Sequence, residues 1–283
     1  MSAQFLRLTR IFLYLGLTAP LMPVQAVAVL LNLRLARTLP RWYHRLSCRV
    51  LGIRLVFDGK PVEVDPALYV VNHTGYLDIE ILGAALQASF ISKADVANWP
   101  WFGWLAKLQR SVFIERTRAA AMGHRNAIVE RFDQGERLIL FPEGTSSDGG
   151  HVLPFKSSLF SVAEYRHNGT PLAVQPVAVA YTRLDGIPLG RSFRPFFAWY
   201  GAMDLAPHLW TLLGMGVLTV ELTFFPPVTI EQFASRKEMA AYCHRIISDG
   251  VAEALAGRKP LPAAAATRRR RSKRRVARPV QVS

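Results

Sequence analysis

The chain has 283 residues, of which 51% are hydrophobic, and its formal net charge at pH 7 is +15. This length allows one large domain or two small ones, and a basic, hydrophobic chain indicates contact with a membrane surface before contact with nucleic acid. The two cysteines, Cys48 and Cys243, lie far apart, which excludes a disulfide framework and a cysteine zinc motif and fits a reducing compartment.

Residues 1–41 are predicted to be a helical segment that anchors the chain to a membrane. No charged residue lies between Ile11 and Leu33, and this stretch is long enough to cross a bilayer. Pro20 and Pro23 should interrupt a helix in its middle, and basic residues on both flanks favour placing both ends on the cytoplasmic side. We therefore predict two short apolar helices that enter one leaflet and return. A single span and a cleaved signal peptide are the alternatives.

Residues 42–257 are predicted to form the main folded domain, because short apolar runs alternate there with amphipathic stretches. This alternation predicts an α/β domain with a mostly parallel central sheet flanked by helices, in which chemistry is found at the C-terminal ends of strands. The predicted strands are Ile53–Phe57, Leu68–Val71, Ser89–Ser92, Val112–Glu115, Arg137–Phe141, Leu172–Tyr181 and Val217–Phe225. The predicted helices are Asp78–Leu86, Trp101–Leu108, Arg118–Gln134, Phe160–His167 and Ile230–Leu255.

The first candidate for chemistry is a histidine that follows a predicted buried strand. Asn72-His73 comes directly after that strand, and Asp78 follows five residues after the histidine. If a helix begins near Gly75, the carboxylate can reach back to one imidazole nitrogen, which fixes the tautomer and leaves the other nitrogen free as a base. No nucleophile elbow accompanies the pair. It therefore fits an enzyme whose acceptor substrate brings the hydroxyl, and a capped helix with a hydrogen-bonded histidine is the structural alternative.

Three further motifs occur in or just after predicted strands. Residues 141–145 read Phe-Pro-Glu-Gly-Thr, where glycine permits close backbone approach and Glu143 supplies a fixed charge, although a plain turn has the same composition. Arg116 closes another strand and suits a phosphate or carboxylate, with a surface ion pair as the alternative. Pro176 interrupts an apolar run, which predicts an edge strand or a bulge.

In this order and spacing the motifs resemble the four sequence blocks of the glycerolipid acyltransferase family. They read Asn72-His73 with Asp78, Phe113-Ile114-Glu115-Arg116, Phe141-Pro142-Glu143-Gly144-Thr145 and Gln175-Pro176-Val177, and the resemblance spans about residues 48–182. It implies an O-acyltransferase that moves a fatty acyl chain from an acyl thioester to the free hydroxyl of a lysolipid. It also implies a membrane-associated site that faces the cytoplasm, no cofactor, and acyl carrier protein or coenzyme A as carrier of the donor acyl group.

The resemblance further assigns roles to individual residues. His73 is the expected general base, and Asp78 orients it. Together with the neighbouring Ser146 and Lys156, the other block residues are expected to hold substrate. The predicted substrate-binding residues are Asn72, Phe113, Arg116, Glu143, Gly144, Thr145, Ser146 and Lys156.

One loop departs from the pattern of the lysophosphatidate acyltransferases in this family. Those enzymes usually carry Arg after the Glu-Gly-Thr, often with a second basic residue close behind, whereas this chain has Ser146 and Asp148. A phosphate monoester carries nearly two negative charges and calls for charge-assisted donors. The loop therefore suits a phosphate less, and an aspartate near the headgroup suits an amine better.

Two other segments, Lys107–Arg110 and Val152–Phe160, look like those of the bacterial lyso-ornithine lipid acyltransferase branch. The acceptor of that branch is an ornithine amide of a 3-hydroxy fatty acid, with the hydroxyl, one carboxylate and one amine free. The resemblance thus implies lyso-ornithine lipid as acceptor and the cytoplasmic face of the bacterial inner membrane as location. Lysophosphatidate is the alternative acceptor, because Arg116 and Lys156 could still bind phosphate.

Residues 258–283 are predicted to be a disordered basic tail. Eight basic residues and no acid lie between Arg268 and Arg278, and each basic residue near an anionic membrane is worth ~1 kcal/mol. We expect the tail to hold the protein on an anionic membrane surface and to attract an acidic acyl carrier protein. Nucleic acid is the weaker interpretation, because no groove-reading motif accompanies the tail.

The remaining histidines and a tryptophan cluster have no assigned chemistry. No spacing among the histidines other than His73 suggests a metal site, so we interpret them as surface or local structure. They are His44, His124, His151, His167, His208 and His244. The aromatic residues of 99–104 fit a core, an interfacial belt or part of an acyl tunnel. A non-catalytic membrane adaptor and a hydrolase are the rival classes, and the intact His73–Asp78 pair argues against the adaptor.

Overall fold

The structure, a computed structural model, describes residues 2–114 and 121–257, with the side chains of residues 121–125 left out. Within this part of the chain the α-helices are α1 (Ala3–Leu30), α2 (Leu35–Leu51), α3 (Leu77–Ala85), α4 (Phe102–Leu108), α5 (Ala121–Asp133), α6 (Leu205–Leu213) and α7 (Arg236–Leu255). The strands are β1 (Ile53–Asp58), β2 (Ala67–Val71), β3 (Ser89–Lys93), β4 (Val112–Ile114), β5 (Arg137–Leu140), β6 (Arg166–His167), β7 (Thr170–Pro171), β8 (Ala173–Leu184), β9 (Ile187–Pro188) and β10 (Leu218–Phe224).

The large sheet has the strand order β1-β10-β8-β2-β5-β3-β4. Strand β2 pairs in parallel with both β5 and β8, and β3 pairs in parallel with β5 and β4. Strand β10 is antiparallel to β8 and parallel to β1. Strands β1 and β10 therefore run opposite to the five other strands of this order. The prediction of a mostly parallel central sheet flanked by helices is confirmed.

Two apolar clusters cover the two faces of the sheet. Along β2, Tyr69 and Val71 belong to a cluster that includes side chains of α2, α3 and α6, whereas Leu68 and Val70 belong to one that includes α5 and α7. All five residues of this strand are buried. A strand buried on both faces reads as a continuous apolar run, which is why β2 was recognisable from the sequence.

The prediction that the N-terminal segment breaks at its prolines is wrong. Helix α1 continues through Pro20 and Pro23, and the chain turns only after Leu30. Contacts on both sides of the prolines hold the helix, since the Thr18 hydroxyl contacts the Tyr43 hydroxyl at 2.9 Å and Gln25 Nε2 donates to Leu108 O at 2.8 Å. Packing against neighbouring helices compensates for prolines in apolar helices.

Helix α1 is, by length and composition, the single helix of the described residues that is long and apolar enough to cross a membrane. The next helix, α2, contains the predicted boundary between residues 41 and 42. The basic tail, residues 258–283, lies outside the described residues.

The prediction that Pro176 marks an edge strand or a bulge is also wrong, because β8 lies between β2 and β10 and its register with β2 is unbroken at Pro176. Pro176 O accepts from Phe225 N at 3.1 Å. Pro176 therefore pairs with the first residue after β10. Phe225 O, the neighbouring acceptor, takes a bond from Gln175 Nε2 at 2.9 Å. A glutamine side chain thus supplies the donor that proline lacks, and the ladder tolerates the residue.

Two predicted helices differ in extent. The predicted helix over 160–167 is a 3-10 segment, Ser157–Glu164, followed by a short hairpin of β6 and β7. Asn168 and Gly169 form its turn with positive φ angles of 49° and 81°, as an Asn-Gly hairpin turn requires. The predicted helix from Ile230 begins at Arg236 instead, because Ser235 caps it by accepting from Glu238 N at 3.3 Å.

Candidate active site

The end of β2 is fastened to the sheet by an asparagine. Asn72 is buried, its Nδ2 donates to Val179 O at 2.9 Å, and its Oδ1 accepts from Val179 N at 2.8 Å. These two bonds extend the pairing of β2 with β8 past Val71, with the Asn72 side chain in the place of backbone groups. Asn72, which was predicted to bind substrate, therefore fixes where His73 leaves the sheet.

His73 and Asp78 form the predicted pair. Nδ1 of His73 lies 2.8 Å from Oδ2 of Asp78, and the aspartate is fully buried at 0% exposure. Helix α3 begins at Leu77, which places Asp78 in its first turn. A carboxylate there is favoured by the positive end of the helix dipole.

Four donors surround the carboxylate of Asp78. Oδ2 also accepts from Thr74 N at 2.6 Å and from Gly75 N at 3.1 Å. The buried hydroxyl of Tyr181 donates to Oδ1 at 2.7 Å. These bonds satisfy a buried negative charge, which would otherwise be costly. Tyr181 was not predicted as a site residue, and a phenol inside an apolar β8 run was its only signal in the sequence.

The imidazole of His73 is positioned by stacking as well as by hydrogen bonding. Its ring lies on that of Phe141, with the centroids 4.1 Å apart and the planes at 23°. When Nδ1 donates its proton to Asp78, Nε2 keeps a lone pair. Nε2 has no hydrogen-bond partner among the described residues, and His73 lines the large cavity described below. This arrangement leaves one basic nitrogen available to a ligand.

Glu143, predicted to hold the acceptor, bonds two backbone segments to each other. Its Oε1 accepts from His73 N at 2.6 Å and its Oε2 accepts from Leu153 N at 2.8 Å. Burial and, to a lesser degree, the charge of Asp78 raise the pKa of Glu143 to about 7, against the opposing effect of the two N–H donors. Because this pKa is raised on folding, its stabilising contribution is present in acid and decreases as the pH rises through about 7.

The loop after β5 brings further predicted residues to the site. Gly144, Thr145 and Ser146 line the same cavity as His73, and Ser147 N donates to His73 O at 2.8 Å. The Ser146 hydroxyl donates to Trp199 O at 2.5 Å. Ser146 therefore ties this loop to the segment before α6.

The remaining predicted residues lie away from the cavity or outside the description. Phe113 is half-buried in β4, and Lys156 is exposed; neither lines the cavity. Arg116 lies outside the described residues. Asp148, which was expected near an amine, is also absent from the lining, and its Oδ1 lies 2.9 Å from Nδ1 of His151.

The cavity beside His73 has a volume of about 740 Å³ and is mainly apolar. It extends from the end of β2 between α1, α2 and α4. Trp99, Trp101 and Phe102 line it, which favours the tunnel interpretation of the aromatic cluster, whereas Trp104 is 64% exposed. At about 30 Å³ per non-hydrogen group, the volume accommodates about 25 groups.

A polar network lies among the apolar lining residues. His44 bonds Glu80 through Nδ1 at 2.7 Å and Gln109 through Nε2 at 2.9 Å, and the Tyr14 hydroxyl donates to Glu80 at 3.0 Å. Burial would lower the pKa of His44, but the facing carboxylate of Glu80 outweighs it, so that the pKa is raised. This network was not predictable from the sequence, because its members come from four separate helical and loop segments.

The described residues include no group of three or more histidine, cysteine, aspartate or glutamate side chains that could hold a metal ion. Both cysteines are buried, and burial raises the pKa of the thiols of Cys48 and Cys243. A buried thiol of high pKa is a poor nucleophile. Neither cysteine lines the cavity beside His73.

Comparison with known proteins agrees with this geometry. A family model described as "Acyltransferase" matches residues 55–180. A lyso-ornithine lipid O-acyltransferase of Brucella abortus (strain 2308) is 42% identical over 258 residues, covering 88% of this chain and 97% of the relative. One from Rhizobium meliloti (strain 1021) is 40% identical, covering 87% and 88%.

More distant relatives carry a different name. A 1-acyl-sn-glycerol-3-phosphate acyltransferase of Neisseria gonorrhoeae is 32% identical, covering 59% of this chain and 62% of the relative. The crystal structure of the 1-acyl-sn-glycerophosphate acyltransferase from Thermotoga maritima matches with a TM-score of 0.60 and 23% identity, covering 88% of this chain and 95% of that one. At that identity the match bears on the fold.

Proposed function

This chain belongs to the acyltransferase family, and on that premise we propose that it transfers a fatty acyl group from an acyl thioester to the free hydroxyl of lyso-ornithine lipid, giving ornithine lipid. The observation that carries the proposal is the His73–Asp78 pair, whose Nε2 is left free beside a long apolar cavity. Within the described residues no serine, cysteine or threonine hydrogen-bonds that nitrogen. The acceptor hydroxyl then takes the place of an enzyme nucleophile.

The reaction follows from the positions of these groups. Nε2 of His73 removes the proton of the acceptor hydroxyl as its oxygen attacks the thioester carbonyl carbon. Asp78 stabilises the imidazolium that forms. The tetrahedral intermediate collapses, the carbon–sulfur bond breaks, and the thiolate takes the proton from Nε2. One ester is formed, one thioester is broken, and His73 returns to its starting state.

Holding both substrates beside one histidine supplies a further part of the rate. The apolar cavity has room for about 25 non-hydrogen groups, by the ~30 Å³ that each requires. This capacity suits a long acyl chain with part of the acceptor. We propose acyl carrier protein or coenzyme A as the thiol carrier of the donor.

Lys93 is our candidate for binding the headgroup carboxylate. It lies at the C-terminal end of β3, and among the described residues that line the cavity it is the only lysine or arginine. Its Nζ forms an ion pair with Asp95 on the exposed side. An ornithine headgroup carries one carboxylate and one amine. Its carboxylate can bind Lys93 and its amine can bind Asp95, in place of the ion pair between these two residues. A single lysine suits a carboxylate better than a doubly charged phosphate monoester.

Replacing this lysine tests the headgroup assignment. We expect Lys93→Gln to raise the KM for lyso-ornithine lipid about fivefold, because a partly exposed ion pair contributes up to about 1 kcal/mol. The value of kcat should change little, since Lys93 touches no reacting atom. Steady-state kinetics in mixed micelles would measure both, with Lys237→Gln on the exposed first turn of α7 as the matched control. Equal KM values for the two variants would remove Lys93 from the headgroup site.

The choice of acceptor is tested by supplying two lysolipids side by side. With one long-chain acyl donor, we expect faster transfer to lyso-ornithine lipid than to lysophosphatidate. The relatives of higher identity carry the first name and those of lower identity the second. Preference for lysophosphatidate would contradict the proposed acceptor.

Membrane association follows from the acyltransferase relatives of lysolipids together with the apolar helix α1. We propose the cytoplasmic face of the bacterial inner membrane as the location, because basic residues flank the apolar stretch on both sides. We also propose that residues 258–283 add electrostatic attraction to anionic lipids.

A further inference from the structure

A second, smaller cavity lies at the opposite ends of the parallel strands from His73. Its volume is about 190 Å³, and it is lined in part by Asp65, Ser89 and Arg137. Asp65 precedes β2, Ser89 begins β3, and Arg137 begins β5, so these residues mark the N-terminal ends of parallel strands. His73 follows the C-terminal end of β2. The length of this strand, about 13 Å at ~3.3 Å per residue, separates its two ends. The two cavities share Pro40 and Gln109 in their linings, but the small one lies at the N-terminal ends of the strands and is not lined by His73.

The small cavity carries an excess of positive charge. Its lining includes four arginines, Arg37, Arg41, Arg110 and Arg137, against two carboxylates, Asp65 and Glu136. Both carboxylates already form ion pairs with arginines. Glu136 contacts Arg110, Arg37 at 3.7 Å and Arg131 at 2.6 Å, and Asp65 contacts Arg137 at 2.5 Å. The protein thus supplies less negative charge here than the arginines require.

Arg41 is the cation without a counter-charge. It forms no ion pair within the described part of the chain, and its Nε is buried without a hydrogen-bond partner. Burial, Arg45 and Arg137 all lower the pKa of Arg41. A guanidinium keeps its charge even so. A buried donor with no acceptor is costly, and a bound anion would remove that cost.

We propose that this cavity binds a phosphate group, with Arg41 as the principal contact. Arginine forms paired charge-assisted bonds with phosphate oxygens. At the ~30 Å³ that a water-sized group takes in a liquid, the volume holds about six such groups, which is enough to enclose a phosphate with one or two carbons and too little to enclose an acyl chain or a nucleotide. The bound phosphate comes from the headgroup of an anionic phospholipid or from a soluble phosphate.

The surroundings of the cavity favour the phospholipid. Leu35 and Trp42 on α2 are 41% and 54% exposed and bracket Arg37 and Arg41 in sequence. Leu30 at the adjoining end of α1 is 83% exposed. Tryptophan prefers the headgroup level of a bilayer, and exposed leucines prefer its interior. Insertion of these side chains would bring the cavity to the lipid phosphates.

The test uses the full chain and two phosphate sources. In the first arm, thermal midpoints are measured in detergent micelles with up to 20 mM sn-glycerol 3-phosphate, against chloride of equal ionic strength. In the second, flotation with vesicles measures binding as the phosphatidylglycerol content rises in phosphatidylcholine.

Arg41→Gln removes the proposed contact. Arg54→Gln removes the same charge from the exposed face of the edge strand β1 and serves as the control. Gln87→Glu adds a negative charge to the exposed rim of the cavity, with little risk to folding.

We expect Arg41→Gln and Gln87→Glu to weaken half-maximal binding about tenfold, and Arg54→Gln to change it less than twofold. The His73→Ala variant should bind as the wild type does, which separates this cavity from the acyl-transfer site. An effect confined to vesicles identifies the lipid headgroup as the source, and an effect with glycerol phosphate identifies a soluble phosphate. If Arg41→Gln and Gln87→Glu match Arg54→Gln in both arms, the proposal is overturned.

Discussion

Replacement of His73 by alanine is expected to lower kcat for acyl transfer by about 10³-fold, within the 10²–10⁴ that general-base catalysis contributes. The fold should survive the change, because the backbone bonds of residue 73 to Glu143 and Ser147 do not involve the side chain. The buried carboxylate of Asp78 also keeps three donors, from Thr74, Gly75 and Tyr181. Single-turnover acyl transfer and the thermal midpoint would be measured on the same preparation.

The matched control is His151→Ala, which removes an imidazole that is 61% exposed in its side chain and lies outside the cavity lining. We expect this variant to keep more than about half of the wild-type rate, as surface substitutions usually do. A folded His73→Ala enzyme with activity within tenfold of wild type would contradict the mechanism. Binding of both substrates would then have to account for the rate without a base.

The sequence predicted the positions of the strands along the chain well where one local signal dominated. Strand β2 is apolar throughout because it is buried on both faces, and its end is marked by the polar pair Asn72-His73. Failures occurred where a distant residue supplied the deciding contact. Pro176 stays in a central strand because Gln175 bonds Phe225, fifty residues away. No pattern local to Pro176 contains that information.

The site shows the same division between local and distant contacts. The reach of Asp78 to His73 was predictable, since five residues span the start of a helix. The roles of Asn72 and Glu143 were not, because each bonds backbone groups that only the folded chain brings near, namely those of Val179 and Leu153. Sequence motifs name the residues of a site but do not separate those that touch substrate from those that hold the site together.

Replacement of Asp78 by asparagine is the sharper test of the pair, because the structure predicts that the fold tolerates it. The amide oxygen can occupy the position of Oδ2 and accept from Thr74 N and Gly75 N. The amide nitrogen then faces the hydroxyl of Tyr181, which can turn to accept a bond where it now donates one. The contacts of the side chain with Thr74, Gly75 and Tyr181 are kept, the last with its direction reversed, whereas the negative charge that stabilises the imidazolium is lost.

We therefore expect Asp78→Asn to lower kcat by about 10²- to 10³-fold, which is no more than the loss of the histidine through which it acts, with a thermal midpoint close to that of wild type. Tyr181→Phe is the matched comparison, since it removes one hydrogen bond to the carboxylate and leaves the charge in place. Its rate should fall by about tenfold, which corresponds to ~1.5 kcal/mol, the lower end for loss of one bond to a charged group. If both variants lose the same activity, positioning of the imidazole outweighs the charge of Asp78. If Asp78→Asn retains near-normal turnover, His73 acts without its partner and the assignment of the pair fails.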